Sequence, residues 1–353
     1  MSGNLQLAQG AGGQAMQELL NKYILDSLRF PGSLEQDLSL EDLDDASAIR
    51  NIVLTTDSHT VKPLFFPGGD IGTLSVAGTI NDLAVVGAEP IALALGLILE
   101  EGLPLITLER VMSSIGKSSR ECGVPVITGD TKVVERGAVD NIITNTSGIG
   151  IRNLSMDQNF KRVRESRPIE SKWLKDSNLR EGDLIILSGT VGDHGIALLS
   201  FREGYGFEAG GLTSDIAPLN AMVANCLKIG GIVAMKDPTR GGLANTLNEW
   251  SQKSDCGIFV EEERIPLKDS VVAACELLGL DPLEIGNEGK IVIGVVAEAA
   301  DDLLSELRRH PEGRDSSIVG KVTRRPKAVV METIVGARRV IEAPLGDPVP
   351  RIC

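Results

Sequence analysis

The sequence predicts an α+β protein of two domains with an extended C-terminal tail. Its 353 residues exceed what one hydrophobic core usually covers, so two compact units are expected. Apolar strand-like runs alternate with helical patterns on both sides of a polar, unpatterned segment, residues 152–173, which is predicted to be a linker. Beyond Gly336 three prolines interrupt regular structure, so residues 336–353 are predicted to form a mobile, polyproline-like tail.

The region before the linker is predicted to contain an arm and a first domain. Residues 1–50 have the pattern of a helical arm, and residues 51–152 form the first domain. In the arm, apolar side chains recur at helical spacing at Met16, Leu19, Leu20, Ile24 and Leu28. In the domain, "NIVLTTD", "PIALALGLILE" and "VPVITGD" are strand-like runs, and "GTLSVAGTINDLAVVG" has a helical pattern.

The region after the linker is predicted to form a second alternating domain, residues 165–335. It begins with "GDLIILSGTVGDHGIALLS" and ends with "AVVMETIVG". In the tail that follows, an extended chain advances roughly 3 Å per residue, so a dozen residues span about 30 Å. The tail therefore gives the last residue, Cys353, a long reach.

Charge and composition exclude several classes of protein. A formal net charge of −14 argues against a nucleic-acid partner, which would require a basic surface. No apolar stretch reaches the roughly 18 residues that span a membrane. The N-terminus "MSGNLQLAQG" has neither a basic leader nor an apolar signal core. We expect a cytoplasmic protein with no nucleic-acid and no membrane partner.

Four aspartates occur in short motifs at strand ends, turns or helix starts. They are Asp57 in "TTD", Asp82 in "NDLA", Asp130 in "GDTK" and Asp237 in "DPTRGG". Each one alone is more simply explained as a helix cap or a turn residue. Carboxylates that converge from several strand ends, however, are how proteins hold Mg²⁺, a hard cation that bridges phosphates. The four motifs together predict a metal–phosphate site.

Further residues are candidates for chemistry at such a site. Lys132 in "GDTK" can neutralise charge that develops on a phosphoryl group. Glu288 in "GNEGK" precedes the apolar strand "IVIGVV", and its alternative explanation is a solvated acid on a surface turn. The glycines Gly12 and Gly13 of "GAGG" would let backbone amides approach phosphate closely. The sequence contains no Walker-type loop, so an ATP site would have to be of another kind.

The spacing of cysteines and histidines limits the types of metal site and reaction that the sequence supports. The five cysteines include no CxxC pair, which supports neither a zinc site nor a disulfide framework. Cys226 and Cys275 lie in apolar helical contexts and are predicted to be inert core residues. Cys353 ends the chain, where it is either an accident of the chain end or a functional thiol. Neither HExxH nor GxSxG occurs, and His194 in "GDHGIALL" is more simply a helix-start residue.

The order of these motifs resembles the AIR-synthetase-related ATP-binding superfamily, which has the PurM-like fold, and within it the HypE family of hydrogenase maturation proteins. The resemblance covers almost the whole chain. It rests on "TTDSHTVKPLFFPGGDIGTLSVAGTINDLAVVGAEP", "VITGDTKVVERG", "DPTRGGLANTLNE" and the terminal "PRIC". One position departs from the family pattern, since Gln9 stands where a histidine is usual.

This resemblance implies an activity and partners. In that family a HypF-type carbamoyltransferase loads the terminal cysteine with a carbamoyl group, and ATP-dependent dehydration turns the thiocarbamate into a thiocyanate. The cyanide then passes to iron on a HypC–HypD complex during nickel–iron hydrogenase assembly. ATP and Mg²⁺ are the implied cofactors.

The matching motifs also imply roles for individual residues. The resemblance implies Cys353, Lys132 and Glu288 for the chemistry, Gly12, Gly13, Asp57, Asp82, Asp130 and Lys132 for ATP, and Asp57, Asp82 and Asp237 for Mg²⁺. Within this set Cys353 is the carrier, Lys132 acts on the transferring phosphoryl group, and Glu288 accepts a proton near the thiocarbamate nitrogen.

The resemblance also implies a homodimer, in which two first domains pair their sheets into a shared barrel, while the second domain is a sheet covered by helices. Two other functions stay open. Another PurM-like kinase or synthetase would share the aspartate motifs but has no use for "PRIC". A passive carbamoyl carrier would use the cysteine but needs no metal–ATP site.

Overall fold

The computed structural model describes residues 4–10, 12–28, 36–206, 211–346 and 348–353. Within these residues a six-stranded sheet forms the centre of a first domain and a seven-stranded sheet forms the centre of a second. The two-domain α+β architecture predicted from the sequence is therefore observed.

The first domain is built on strands from the N-terminal half of the chain. They are β1 (Gln36–Leu38), β2 (Ser47–Ile49), β3 (Ile52–His59), β4 (Phe65–Phe66), β5 (Gly69–Asp70), β6 (Ala88–Glu100), β7 (Val126–Val134) and β8 (Ile142–Arg152). The six-stranded sheet has the order β1-β2-β3-β8-β6-β7, and β4 and β5 form a separate small hairpin. β6 and β7 pair in parallel, and the other neighbours pair antiparallel.

One face of this sheet is covered by the helix α3, residues Ile71–Val85. The helices of this half are α1 (Gly13–Leu19), a π-helical segment (Leu20–Leu25), α2 (Asp26–Leu28), α3 (Ile71–Val85) and α4 (Leu105–Cys122). α3 begins at Asp70, whose side chain accepts hydrogen bonds from the backbone N–H groups of Gly72 and Thr73. Packed between the sheet and α4, α3 is buried on nearly every side, which explains its run of apolar and small residues.

The opposite face of the first sheet is open, and we call it the open face. Side chains alternate along β3, so Val53 and Thr55 are buried against α3, whereas Ile52 and Leu54 are 55% and 58% exposed. Ile151 of β8 pairs with Ile52 and is exposed on the same side. A row of apolar side chains therefore faces outward from the sheet.

The second domain follows with its own strands and helices. The strands are β9 (Leu184–Leu187), β10 (Ile232–Lys236), β11 (Gly257–Glu261), β12 (Val292–Val295), β13 (Ser317–Thr323), β14 (Val329–Glu332) and β15 (Arg338–Ile341), in the sheet order β10-β12-β9-β13-β11-β14-β15. The helices are α5 (Met156–Ser166), α6 (Asp193–Glu203), α7 (Asn220–Ile229), α8 (Gly242–Ser254), α9 (Asp269–Leu278) and α10 (Ala300–Leu307). No helix in the described part of the chain is long and apolar enough to cross a membrane.

Three predicted segments differ from the structure. The arm predicted over residues 1–50 is helical within residues 13–28, but β1 and β2 belong to the first sheet, because Leu38 and Ala48 enter the core there. The predicted linker contains α5, whose buried Met156, Phe160 and Val163 recur at helical spacing among polar residues. The predicted irregular tail begins with the strand β15.

Candidate active site

A cavity of about 300 Å³ lies where the two domains meet, and most of the acids singled out in the sequence line it. Its lining includes Gly12, Gly13, Asp44, Asp45, Asp57, His59, Asp82, Lys236, Asp237, Arg240, Glu288 and Cys353. Both ends of the chain, the first sheet and the second domain therefore contribute to one place.

Strand β3 supplies three residues on its α3-facing side. Thr55, Asp57 and His59 alternate there with outward-facing residues. The Thr55 hydroxyl donates a hydrogen bond of 2.8 Å to Oδ2 of Asp82 on α3, which holds that carboxylate beside the strand. His59 Nε2 lies 4.0 Å from Asp57 Oδ2, and burial lowers the pKa of His59. The imidazole is therefore neutral beside the aspartate at neutral pH.

The acids of α3 and of the loop after β10 are close enough to repel one another. Burial, reinforced by the charges of Asp57 and Asp237, raises the pKa of Asp82 well above its usual range. Burial and the charge of Asp45 raise the pKa of Asp237 to about 8, although Lys236 acts in the opposite direction. Carboxylates that lie together away from water favour a bound cation.

Glu288 occupies a buried turn and is not a solvated surface acid, since it is only 3% exposed. Its backbone N–H donates to Asp215 Oδ1 at 3.1 Å, and its own Oε1 has no hydrogen-bond partner in the described structure. Burial, followed by the charges of Asp237 and Asp215, raises the pKa of Glu288 well above the usual range. Such a carboxylate is a strong proton acceptor once it is ionised.

The glycine pair near the N-terminus packs against the loop after β10. Gly12 and Gly13 have φ angles of +81° and +65°, and a Cβ on Gly12 would lie 3.2 Å from the carbonyl oxygen of Arg240. Arg240 Nη2 in turn lies 4.0 Å from Asp57 Oδ1. The negative charge of Cys353 contributes most to raising the pKa of Arg240. Arg240 therefore links the acids to the chain end, a role that we did not predict although "DPTRGG" contains it.

Cys353 lies in the cavity wall in this structure. The backbone N–H of Thr60 donates to the terminal carboxylate of Cys353 at 3.3 Å, and that of Lys62 donates to the Arg351 carbonyl at 3.2 Å. The last residues thus pair with the segment that follows β3. In this structure the end of the tail is docked, because it finds backbone partners and the cationic Arg240 in the cavity wall.

An acid–lysine cluster in the wall of the cavity was not predicted. It consists of Asp44, Asp45, Asp176, Lys236 and Lys253. Lys236 Nζ lies 2.9 Å from Asp45 Oδ1, and Lys253 Nζ donates to Asp176 Oδ2 at 2.7 Å. Burial, followed by the charge of Asp176, raises the pKa of Asp44 to about 8. The adjacent acids in "DLDDAS" are the signal in the sequence that could have indicated this cluster.

Asp130 and Lys132 do not line the cavity of their own chain. Both lie on β7, at the edge of the first sheet, opposite Gly96 and Ile98 of β6. Residues aligned across a ladder point to the same side, so both side chains project from the open face, while Asp57 projects from the other. The structure therefore gathers the other predicted site residues without these two.

Metal ligands can be judged from the same geometry. Within the described ranges, no group of three or more His, Cys, Asp or Glu is arranged to coordinate a metal by itself. Mg²⁺ commonly uses one or two carboxylates together with phosphate oxygens and water. Carboxylate oxygens that lie close together repel one another, as do those of Asp57, Asp82 and Asp237. They therefore suit a cation whose remaining ligands are phosphate oxygens.

Comparisons with known proteins agree with this architecture. A family model described as AIR synthase related protein, N-terminal domain, matches residues 43–152, and one described as AIR synthase related protein, C-terminal domain, matches residues 180–332. A hydrogenase expression/formation protein of Methanocaldococcus jannaschii is 49% identical over 98% of each chain. Carbamoyl dehydratase HypE of Escherichia coli (strain K12) is 41% identical over 99% of each chain. The chain belongs to the HypE family.

Solved HypE structures have the same fold. The crystal structure of a HypE–HypF complex matches with a TM-score of 0.82 at 40% identity, covering 92% of this chain and 99% of that chain. The crystal structure of the hydrogenase maturation protein HypE in complex with ATP matches with a TM-score of 0.78 at 41% identity, covering 99% of this chain and 100% of that chain. The PurM-like fold predicted from the motifs is confirmed.

Proposed function

We propose that this HypE-family protein uses ATP to dehydrate a carbamoyl group carried on its own terminal cysteine. One observation carries the proposal: Cys353 is docked in the wall of the cavity that gathers Asp57, Asp237 and Glu288. A carbamoyl group on that sulfur would lie among groups suited to phosphate, cation and proton. The named activity of the HypE relatives supports the same reaction.

The reaction converts the thiocarbamate R–S–C(=O)–NH₂ into the thiocyanate R–S–C≡N, where R–S is the sulfur of Cys353. The carbamoyl oxygen attacks the γ-phosphorus of ATP, and the O–P bond to ADP breaks. Loss of one N–H proton gives an iminophosphate. Loss of the second N–H proton then expels phosphate as the C–O bond breaks and the nitrile forms. The products are the thiocyanate, ADP, phosphate and two protons, one of which phosphate takes up.

Residues that line the cavity would assist these steps without a change in their positions. Glu288 accepts a proton from the carbamoyl nitrogen, because its carboxylate is buried and Oε1 has no other partner in the described structure. Arg240 favours the ionised form of Glu288 and lies near the negative charge of Cys353. Gly12 and Gly13 leave room for the triphosphate at the cavity wall.

Mg²⁺ is the cation that we propose for this site, held by Asp57, Asp82 and Asp237 together with the triphosphate. When bound, it would neutralise phosphate charge and orient the γ-phosphoryl group. The desolvated carboxylates support this assignment, since the pKa values of Asp82 and Asp237 are both raised. A bound cation would bring both acids back to their ionised forms.

We further propose a homodimer in which the open faces of two first domains pack together. The exposed Ile52, Leu54 and Ile151 support it, because a row of apolar side chains on a sheet face requires a cover. Lys132 and Asp130 project from this face. In this proposal the ammonium of Lys132, and Asp130 beside it, serve the nucleotide in the cavity of the second copy.

The proposed partners follow from the chemistry of the carrier. A HypF-type carbamoyltransferase loads Cys353, consistent with a solved HypE–HypF complex at 40% identity. A HypC–HypD complex would accept the cyanide for the iron of a nickel–iron hydrogenase. We place these steps in the cytoplasm.

ATP hydrolysis before and after loading of Cys353 separates this function from its alternatives. We expect hydrolysis to rise only when the cysteine carries the carbamoyl group. A passive carrier would hydrolyse no ATP in either state. A small-molecule kinase would use ATP with its free substrate regardless of loading, and Cys353→Ala would leave its activity intact.

A further inference from the structure

We propose that His194 is a positioning residue, whose Nε2–H holds the carbonyl of Ile352 and thereby fixes where the terminal thiol lies in the cavity. The docking of the tail can be tested without turnover, whereas its consequence for dehydration rests on the proposed function. His194 lies outside the set of residues that line the cavity.

The docked end of the tail is held to the segment after β3 by two backbone hydrogen bonds. The N–H group of Thr60 donates to the terminal carboxylate of Cys353, and that of Lys62 donates to the Arg351 carbonyl. The carbonyl of Ile352, which lies between Arg351 and Cys353, takes part in neither bond. This carbonyl therefore needs a separate donor, next to the residue that carries the thiol.

His194 supplies this donor. Its Nε2 lies 2.9 Å from the Ile352 carbonyl oxygen, and its Nδ1 lies 2.8 Å from the hydroxyl oxygen of Ser214. The Ser214 oxygen already accepts from the N–H of Ile216 at 3.2 Å. A carbonyl can only accept, so Nε2 carries the proton and the Ser214 hydroxyl donates to Nδ1. Ser214 thus supports the tautomer that binds the tail, because its hydroxyl can donate to Nδ1.

The side chain of Ile352 is fixed on the same side. It is buried, and its Cδ1 occupies the space beside Gly286, where a Cβ would lie 2.5 Å from it. The N–H of Gly195, next to His194 on α6, donates to the Gly286 carbonyl at 3.2 Å. α6 and the turn that leads to Glu288 therefore hold one residue of the tail together.

His194 is itself held rigidly, as a positioning residue requires. The ring is fully buried and meets Phe66 edge to face, with ring centroids 5.7 Å apart. On the other side of the tail, Arg351 Nη1 donates to Asp140 Oδ2 at 2.9 Å and Nε donates to the Thr60 carbonyl at 3.0 Å. Hydrogen bonds on two sides of the preceding residues therefore fix the position of Cys353.

The test compares His194→Leu, which removes the donor, with His194→Gln, whose side-chain amide can restore an N–H near the position of Nε2. The rate of alkylation of Cys353 by iodoacetamide is followed by mass spectrometry on the peptide released after Glu342. Cys256, which is partly buried in the second domain, serves as an internal reference. His310→Leu, far along the chain from the tail, is the matched control.

We expect His194→Leu to speed alkylation of Cys353 about 3- to 10-fold, the effect of losing one hydrogen bond, without a change at Cys256. His194→Gln and His310→Leu should stay near the wild-type rate. Ser214→Ala, which leaves the ring in place but removes the hydroxyl, should lie between wild type and His194→Leu. An unchanged rate in His194→Leu, no difference between its Leu and Gln forms, or equal acceleration at both cysteines would overturn the proposal.

Turnover provides a second readout on the same variants. In a preloaded chain, His194→Leu should slow dehydration and His194→Gln should restore it, while loading by the carbamoyltransferase is not lost. Loss of loading and dehydration together would contradict a positioning role. The alkylation rates test the docking of the tail by His194 even if the loaded wild-type chain proves inactive. A failure of the proposed dehydratase function can therefore be distinguished from a failure of the proposed role of His194.

Discussion

Asp57 and Lys132 extend from opposite faces of the same six-stranded sheet. Asp57 lines the cavity of its own chain, whereas Lys132 projects from the open face. A lysine that stabilises a transferring phosphoryl group must lie beside it. If Lys132 has this role, it acts on the nucleotide of a second copy.

Mixed dimers test this arrangement directly. Lys132→Ala and Cys353→Ala are each expected to be inactive as homodimers, with dehydration slowed about 10²–10³-fold in the lysine variant. In a mixed dimer, the chain that keeps Cys353 would receive Lys132 from its partner. We therefore expect dehydration to return when the two variants are unfolded together, refolded and loaded. No recovery in verified mixed dimers would place Lys132 outside the partner's site.

The open face should control the oligomeric state. Leu54→Glu places a charge among its apolar side chains, and we expect it to give a monomer, because burying an unpaired charge is unfavourable. Light scattering after size-exclusion chromatography measures the mass. Leu154→Glu is the matched control, since Leu154 is 90% exposed and follows the last strand of this sheet. Equal masses for both variants and wild type would contradict the proposed interface.

Asp237 should make the stability of the chain depend on pH. Its pKa of about 8 exceeds the 3.8 of an ordinary aspartate, so the folded chain binds this proton more tightly than the unfolded chain does. The free energy of unfolding therefore falls as the pH rises from about 4 to 8. Without ATP and divalent cations, Asp237→Asn should melt at a higher temperature than wild type at pH 8 and near the same temperature at pH 4. A difference independent of pH would refute this.

Substitution of any one of the three candidate Mg²⁺ ligands should weaken nucleotide binding. Asp57→Asn, Asp82→Asn and Asp237→Asn each remove a charged oxygen ligand, and calorimetry should show Mg²⁺-dependent ATP affinity reduced about 10-fold or more. Asp301→Asn, an exposed acid at the start of α10, serves as the control. Unchanged affinity in all three site variants would show that these acids are structural.

Glu288 should separate loading from dehydration. Glu288→Gln keeps the shape of the side chain but cannot accept the proton, so a preloaded chain should lose water about 10²–10⁴-fold more slowly. Loading itself should be unchanged, because it is performed by another enzyme. Glu276→Gln, an exposed glutamate on α9, is the matched control. Dehydration at the wild-type rate in Glu288→Gln would remove Glu288 from the mechanism.

The sequence predicted the two-domain fold because its longer strands and helices have strong apolar periodicity. It failed where the signal was short or masked. β1 and β2 span three residues each, too few for an alternating pattern to stand out. α5 was missed because only Met156, Phe160 and Val163 of its apolar face interrupt a strongly polar run.

The motifs allowed Asp82, Asp237 and Glu288 to be predicted as candidates, and the structure places all three in the cavity wall. Contacts that depend on tertiary placement were not predictable. His194 has the sequence context of a helix start, and only the packing of α6 against the turn at Gly286 brings its ring to Ile352. The motif "GDTK" likewise does not reveal that Asp130 and Lys132 face away from their own cavity.

The mass of the terminal peptide tests the central claim most directly. The chain is loaded by the carbamoyltransferase, separated from it, and digested before and after addition of ATP and Mg²⁺. We predict that the peptide ending in Cys353 gains one carbamoyl group on loading and then loses one water when ATP is added. Cys353→Ala should show neither change. Loss of water without ATP, or a thiocyanate on any cysteine other than Cys353, would contradict the account.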